Sequence, residues 1–191
     1  MNLFLYFLSV IHIIILAKKG KSMERKKLKP LTSTQLKFTC LGHTITSSKH
    51  MNKERHFTQH RGTSVYEHSI GVAYTSYFIA SHLPFRFDEQ ALIRGALLHD
   101  YFLYDWHEKD DSHKWHGFNH PRIAKEKAFQ DFQINDLEAN IIARHMFPLT
   151  PIPPKHREGI LVSIMDKVCA ICEMMNIRYL SKAMRLQYHL D

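Results

Sequence analysis

Residues 94–106 read RGALLHDYFLYDW, an apolar run at helical spacing that stops on two polar neighbours, His99 and Asp100, before an aromatic stretch begins. A buried imidazole or carboxylate must be hydrogen-bonded, ion-paired or bound to a metal, because leaving it unpaired in apolar surroundings costs roughly 2–7 kcal/mol. The pair alone is compatible with a simple helix cap, so its meaning depends on what the rest of the chain brings to it. Its own helix opens at Asp88, places Leu92, Gly95, Ala96 and His99 on one face, and is expected to end near Asp100.

Working outward, Ser64 followed by Glu67 is a capping box ahead of a helix expected over 65–83, which Pro84 stops. Beyond the doublet comes a loop, YFLYDWHEKDDSHKWHGFN. Asn119 with Pro121 then marks a new helix through Ala124, Ala128 and Phe132. Asn135 with Glu138 caps another that runs through Ile141 and Ile142 to His145, and PLTPIPP ends it. A last long helix is expected from about Lys155 through Asp166. No stretch alternates in the manner of a strand. The chain therefore predicts an all-α bundle of five or six helices with antiparallel neighbours. Residues 30–62 show no sustained period and are read as linker passing into a short first helix. The expected organisation is an apolar N-terminal segment over 1–22, a basic linker with the first short helix over 23–59, and the helical domain over 60–191.

At 191 residues and 45% hydrophobic, the chain suits one domain with a single core. The formal charge of +8 would suggest a nucleic-acid or anionic surface if it were spread out. It is concentrated instead: residues 18–29, KKGKSMERKKLK, contribute +6, so the remainder is nearly neutral and no specific nucleic-acid binding is expected. Before that run, residues 2–17 (NLFLYFLSVIHIIILA) are almost wholly apolar, but sixteen residues fall below the ~17–25 a spanning helix needs. A short anchor giving weak membrane association and a dispensable or cleavable extension ahead of Met23 both stay open. Either reading leaves the body in the cytoplasm, since the basic run follows the apolar one. Three cysteines, Cys40, Cys169 and Cys172, are too few and too uneven for a disulfide framework. The CxxC of the last two fits one helix face and reads as core packing.

Polar residues interrupt apolar helical faces at three further places, His68 in VYEHSIGVAY, His145 in NIIARHMF and Asp166 in LVSIMDKV, and His120 at the start of the helix in GFNHPRIA joins them. With His99 and Asp100 they make six. Imidazoles and carboxylates brought inward on separate helices are how bundle proteins build metal sites, because each helix carries a rigid ligand to a common centre. Each residue taken singly is equally at home as a satisfied core group, and their joint order carries the weight.

That order, H…HD…D over His68, His99-Asp100 and Asp166, resembles the HD-domain metal-dependent phosphohydrolase superfamily across residues 60 to about 175. GALLHDYF, His120 ahead of Ala124, IIARH and IMDK are similar in order to the branch that hydrolyses dinucleoside tetraphosphates symmetrically. HDYFLYDWH, HGFNHP and HMFPLTPIPP more closely resemble a bacterial group of small HD proteins. The resemblance implies that His68, His99, Asp100 and Asp166 bind one divalent ion and that Asp100 bridges to a second held by His120 and His145. It further implies a phosphorylated small-molecule substrate, such as a nucleotide, cleaved at an ester or anhydride by a hydroxide on one or two ions. Many members carry a Lys shortly after the doublet; here Tyr101 to Tyr104 are aromatic or aliphatic, so that contact must come from elsewhere.

His and carboxylate ligands suit Mn, Fe, Co or Zn better than Mg. Arg61, Arg122, Arg144 and Lys167 stand beside the ligands in sequence and are candidates for neutralising a phosphate. Lys167 and His116 are candidates for the proton donor to the leaving oxygen. Trp106, in the loop after the doublet, is a candidate to stack on a substrate, and His107, His113 and Trp115 share that loop. Two other functions stay open from the residues: a di-iron oxidase on the same ligands, and a non-catalytic module that senses a metal or nucleotide.

Overall fold

The computed structural model describes residues 30–104 and 116–190. The apolar segment, the basic run, Trp106 and its loop neighbours, and the side chain of His116 lie outside the described residues. Residues 31–177 form one compact unit. It contains α1 (Ser33–Thr46), α2 (Lys49–Lys53), a 3-10 turn (Glu54–His56), β1 (Thr58–His60), β2 (Thr63–Ser64), α3 (Val65–Ala80), α4 (Glu89–Leu97), α5 (His116–Phe132), α6 (Asp136–Arg144) and α7 (Arg157–Met174). Arg178–Leu190 belong to a second unit, in which Ser181 accepts from the Met184 N–H and caps α8 (Lys182–Gln187). The fold is all-α, with six helices of nine residues or more among the described residues.

α3 is the axis of the larger unit, because it is apolar all round: Val65, Ile70, Val72, Ala73 and Tyr77 are buried on several faces. It packs against α4 and α7, while α4 packs in turn against α1 and α6. Gly95 permits the last contact, since a Cβ there would meet Ile141 Cδ1 at 2.7 Å. The start signals hold where the sequence places them. Ser64 accepts from the Glu67 N–H, Asp88 from that of Ala91, and Asn135 forms a complete capping box with Glu138.

Three expectations are corrected. The stretch read as linker and short helix carries a 14-residue helix, α1, opened by a capping box between Thr32 and Gln35 and seated through Phe38 and Ile45, both fully buried. Its weak amphipathic period hid it, because Gln35, Gly42 and Thr46 share the buried side. A two-stranded hairpin occurs where no strand was expected, with Thr58 opposite Ser64 and His60 opposite Thr63. It turns through Arg61 (φ 44) and Gly62 (φ 88), the left-handed pair a two-residue hairpin demands, and its strands are too short to show alternation. Finally, α5 begins at His116 rather than Asn119, which leaves Pro121 inside the helix. Among the described residues no helix is long and apolar enough to cross a membrane.

Candidate metal centre

Two of the site histidines are produced by the way their helices end. α4 stops at Leu97, and His99 folds back in the following turn so that its Nδ1–H donates to the carbonyl of Ala96 at 2.7 Å. α6 stops at Arg144, and the C-cap His145 donates from Nδ1 to the carbonyl of Ile142 at 2.8 Å. In both, a carbonyl that the helix terminus would leave unpaired fixes the ring and turns Nε2 inward. His68, in the first turns of α3, is held by the Glu173 carboxylate, whose oxygens lie 2.9 and 3.1 Å from Nδ1. His120 enters from α5 and Asp166 from α7, and all six residues are at least nine-tenths buried.

The inward atoms form two adjoining clusters. Around Asp166 Oδ1 lie His68 Nε2 at 3.2 Å and His99 Nε2 at 3.7 Å. Around Asp100 Oδ1 lie His120 Nε2 at 3.2 Å and His145 Nε2 at 3.3 Å, with these two nitrogens 2.9 Å from each other. The other oxygen of Asp100 faces the first cluster, 3.4 Å from His99 Nε2 and 3.9 Å from His68 Nε2. Asp100 thus touches both. His68, His99 and Asp166 offer ligand atoms mutually within 4.8 Å, as do His99, Asp100 and His145.

The donor set fits divalent cations. His99 Nε2 and Asp100 Oδ1 are buried without a hydrogen-bond partner, despite the close imidazoles around them. Such atoms cost about 1–3 kcal/mol each unless something fills the space between them. Two nitrogens at ~2.1 Å from a common ion and at right angles stand about 3 Å apart, close to the spacing of His120 and His145.

Electrostatics point the same way. Burial pushes Asp100 and Asp166 towards neutrality, yet the imidazoles facing them, His99 beside Asp100 and His68 beside Asp166, hold both carboxyls well below the usual range. Burial also works against charging His68, but Glu173 and Asp166 raise it well above its ordinary value; Asp100 and Asp166 raise His99 likewise against its burial. Burial prevails at His145, which is lowered despite Asp100. The carboxylates hold protons on imidazoles where a cation would otherwise neutralise them.

Asp100, His120 and Asp166 of the two clusters floor a cleft of about 690 Å³ walled by Gln59, His60, Gly117, Met146, Pro148, Leu149, Lys167 and Ala170. Lys167 Nζ donates to the carbonyls of His145 at 2.8 Å and Ser163 at 3.1 Å and stands 3.4 Å from Asp166 Oδ2. The three arginines singled out by sequence proximity are placed elsewhere. Arg61 Nη1 donates to the Met174 carbonyl, Arg122 is exposed and paired with Glu126, Arg144 is half-buried at the end of α6, and none lines the cleft. Adjacent helical positions point about 100° apart, so a neighbour in sequence need not share a ligand's direction. The aromatic stretch after the doublet is packing: Phe102 is buried with its ring edge-on to His120, and Tyr101 donates to Asp131. Cys169 and Cys172 are buried on α7 and are not joined in a disulfide.

Sequence reading did not single out three groups around the centre. Glu173 lies two helical turns after Asp166 on the same face of α7, a spacing that could have exposed it. Gln59 donates from Nε2 to Asp100 Oδ2 at 2.7 Å, and nothing local signals it, since the hairpin delivers it across 41 residues. Glu54 accepts from the Leu103 N–H at 3.0 Å, just beyond the doublet.

A family model described as HD domain matches residues 65–171. No curated protein and no solved structure matches the chain.

Proposed function

The chain belongs to the HD-domain family, and on that premise we propose that it is a metal-dependent phosphohydrolase that cleaves a phosphate ester or anhydride of a small organic molecule. The observation that carries this reading is the pair of buried atoms without a hydrogen-bond partner, His99 Nε2 and Asp100 Oδ1, with Asp100 at the floor of an open cleft.

In this reading His68, His99 and Asp166 would hold one divalent ion and His120 and His145 a second, with Asp100, which has an oxygen facing each cluster, contributing to both. When bound, such ions acidify a water and neutralise phosphoryl oxygens, which is most of what phosphate hydrolysis requires. The chain's own residues do the rest. Glu173 keeps Nδ1 of His68 engaged so that Nε2 faces the centre, and the carbonyls of Ala96 and Ile142 do so for His99 and His145. Gln59 fixes the rotation of the Asp100 carboxylate. Lys167, on the wall beside Asp166, would meet a phosphate oxygen and give a proton to the leaving group.

The test is metal content together with turnover. Purified protein loaded in turn with Mn, Fe, Co and Zn is expected to retain one to two ions per chain. It should release phosphate from at least one member of a panel of monophosphate esters, nucleotides and dinucleoside polyphosphates. Retained metal without any phosphate release would overturn the hydrolase in favour of a sensing module, and substrate-dependent oxygen uptake by the iron form would replace it with an oxidase.

A further inference from the structure

The cleft above the ligand clusters is two-sided. Its floor is charged, with Asp100, His120 and Asp166. Much of the wall is apolar, with Met146, Pro148 and Leu149 from the segment after α6, Ala170 from α7 and Gly117 from the first turn of α5, beside the polar Gln59, His60 and Lys167. The wall is continuous across elements, since a Cβ on Gly117 would stand 3.4 Å from Leu149 Cδ2. Leu149 is 48% exposed, so its side chain is available to a ligand rather than spent on the core.

Resting on the hydrolase reading, we infer that the substrate is a phosphomonoester whose organic body beside the phosphate is apolar and flat, rather than a di- or triphosphate. One phosphoryl group finds its partners at the floor. A second lying against Met146, Pro148 and Leu149 would lose water there and gain no donor from these side chains, and burying polar oxygens in that way is strongly disfavoured. Lys167, the ammonium on the described part of the wall, is held beside Asp166 at the floor by two carbonyls and so serves the first phosphoryl group rather than a second. An aromatic or aliphatic body gains on the same surface what a phosphate chain would lose. The volume of about 690 Å³ suits a single such molecule.

Non-hydrolysable phosphonates separate this inference from the reading it rests on, because they report binding without turnover. By calorimetry on the Mn-loaded full chain, 1-naphthylmethylphosphonate is expected to bind about 10-fold tighter than methylphosphonate. That is what roughly 55 Å² of newly buried apolar surface provides at ~25 cal/mol per Å². Leu149→Ser should shrink the advantage to about 3-fold or less while leaving methylphosphonate affinity unchanged, and Leu149→Lys should raise affinity for an α,β-methylene diphosphate ester. Equal binding of the two phosphonates by the wild type, or an advantage indifferent to Leu149→Ser, overturns the inference and leaves the hydrolase standing. Failure of the Mn-loaded chain to bind methylphosphonate at all strikes the hydrolase reading itself.

Discussion

The two halves of the centre are built from the same residue types but are supported differently. On the side of His68, His99 and Asp166, a buried carboxylate, Glu173, stands directly behind the His68 imidazole and bonds its Nδ1. On the side of His120 and His145 the inward nitrogens share one oxygen of Asp100, and His145 is backed by a neutral carbonyl. A different buried carboxyl, Glu54, has one oxygen on the Leu103 N–H and the other without a hydrogen-bond partner among the described residues. A carboxylate behind an imidazole makes it a better donor to a cation, whereas a carboxyl without a partner only adds strain. The first half is therefore expected to hold its ion more tightly, and Asp100 to be the group on which both depend.

The largest effect should come from Asp100→Ala, which removes the oxygens facing both halves. Metal per chain, measured on the dialysed protein, is expected to fall close to zero and hydrolysis to background; a variant that kept either ion would show that the halves are independent. His120→Ala should be milder, losing about half the metal because the first half keeps its own three ligands, yet losing most of the activity since both charges act on one phosphoryl group. A wild-type content of one ion with an active His120→Ala protein would dissolve the comparison into a mononuclear site. Glu173→Gln keeps a hydrogen-bond acceptor for His68 but removes the charge. Chelator competition should reveal an affinity about 10- to 100-fold weaker for the first ion and little changed for the second. Equal weakening of both would mean that Glu173 supports the whole centre.

The smallest effect concerns stability at the other carboxyl. Burial, only partly offset by the Leu103 N–H, pushes Glu54 up to about 8. Its folded value is thus above the ~4.3 of an unfolded chain, so the fold favours the protonated form. Stability linked to Glu54 is fully present at acid pH and drains away as pH rises between those two values. In chelator-treated protein, Glu54→Gln should accordingly raise the unfolding midpoint by a few degrees at pH 9 and leave it nearly unchanged at pH 4. A variant equally stabilised at both would show that the carboxyl is not the source of the slope.

The candidate ligands were legible because helical periodicity makes an interruption visible. His68, His99, His145 and Asp166 each occupy a position at which a core residue was due, and the structure brings them together with Asp100 and His120. The longer helices were legible for a related reason, since the caps at Ser64, Asp88 and Asn135 are local hydrogen bonds between residues three apart. α1 was harder because its buried side includes Gln35, Gly42 and Thr46, which blur the period. The Gln59 contact had no local signature, and sequence neighbours such as Arg61, Arg122 and Arg144 gave a misleading impression of proximity.

By itself, then, the sequence determined the fold class and which imidazoles and carboxylates are available inside it, both of which follow from short-range spacing. Tertiary structure alone decided which nitrogen of each ring faces the centre, which carboxylate serves two clusters, and which wall of the cleft is apolar. An imidazole has two nitrogens and a carboxylate two oxygens, and their roles are set by partners such as Ala96, Ile142 and Glu173. His68 and Glu173 are 105 residues apart, and only the packing of α3 against α7 brings them within 2.9 Å.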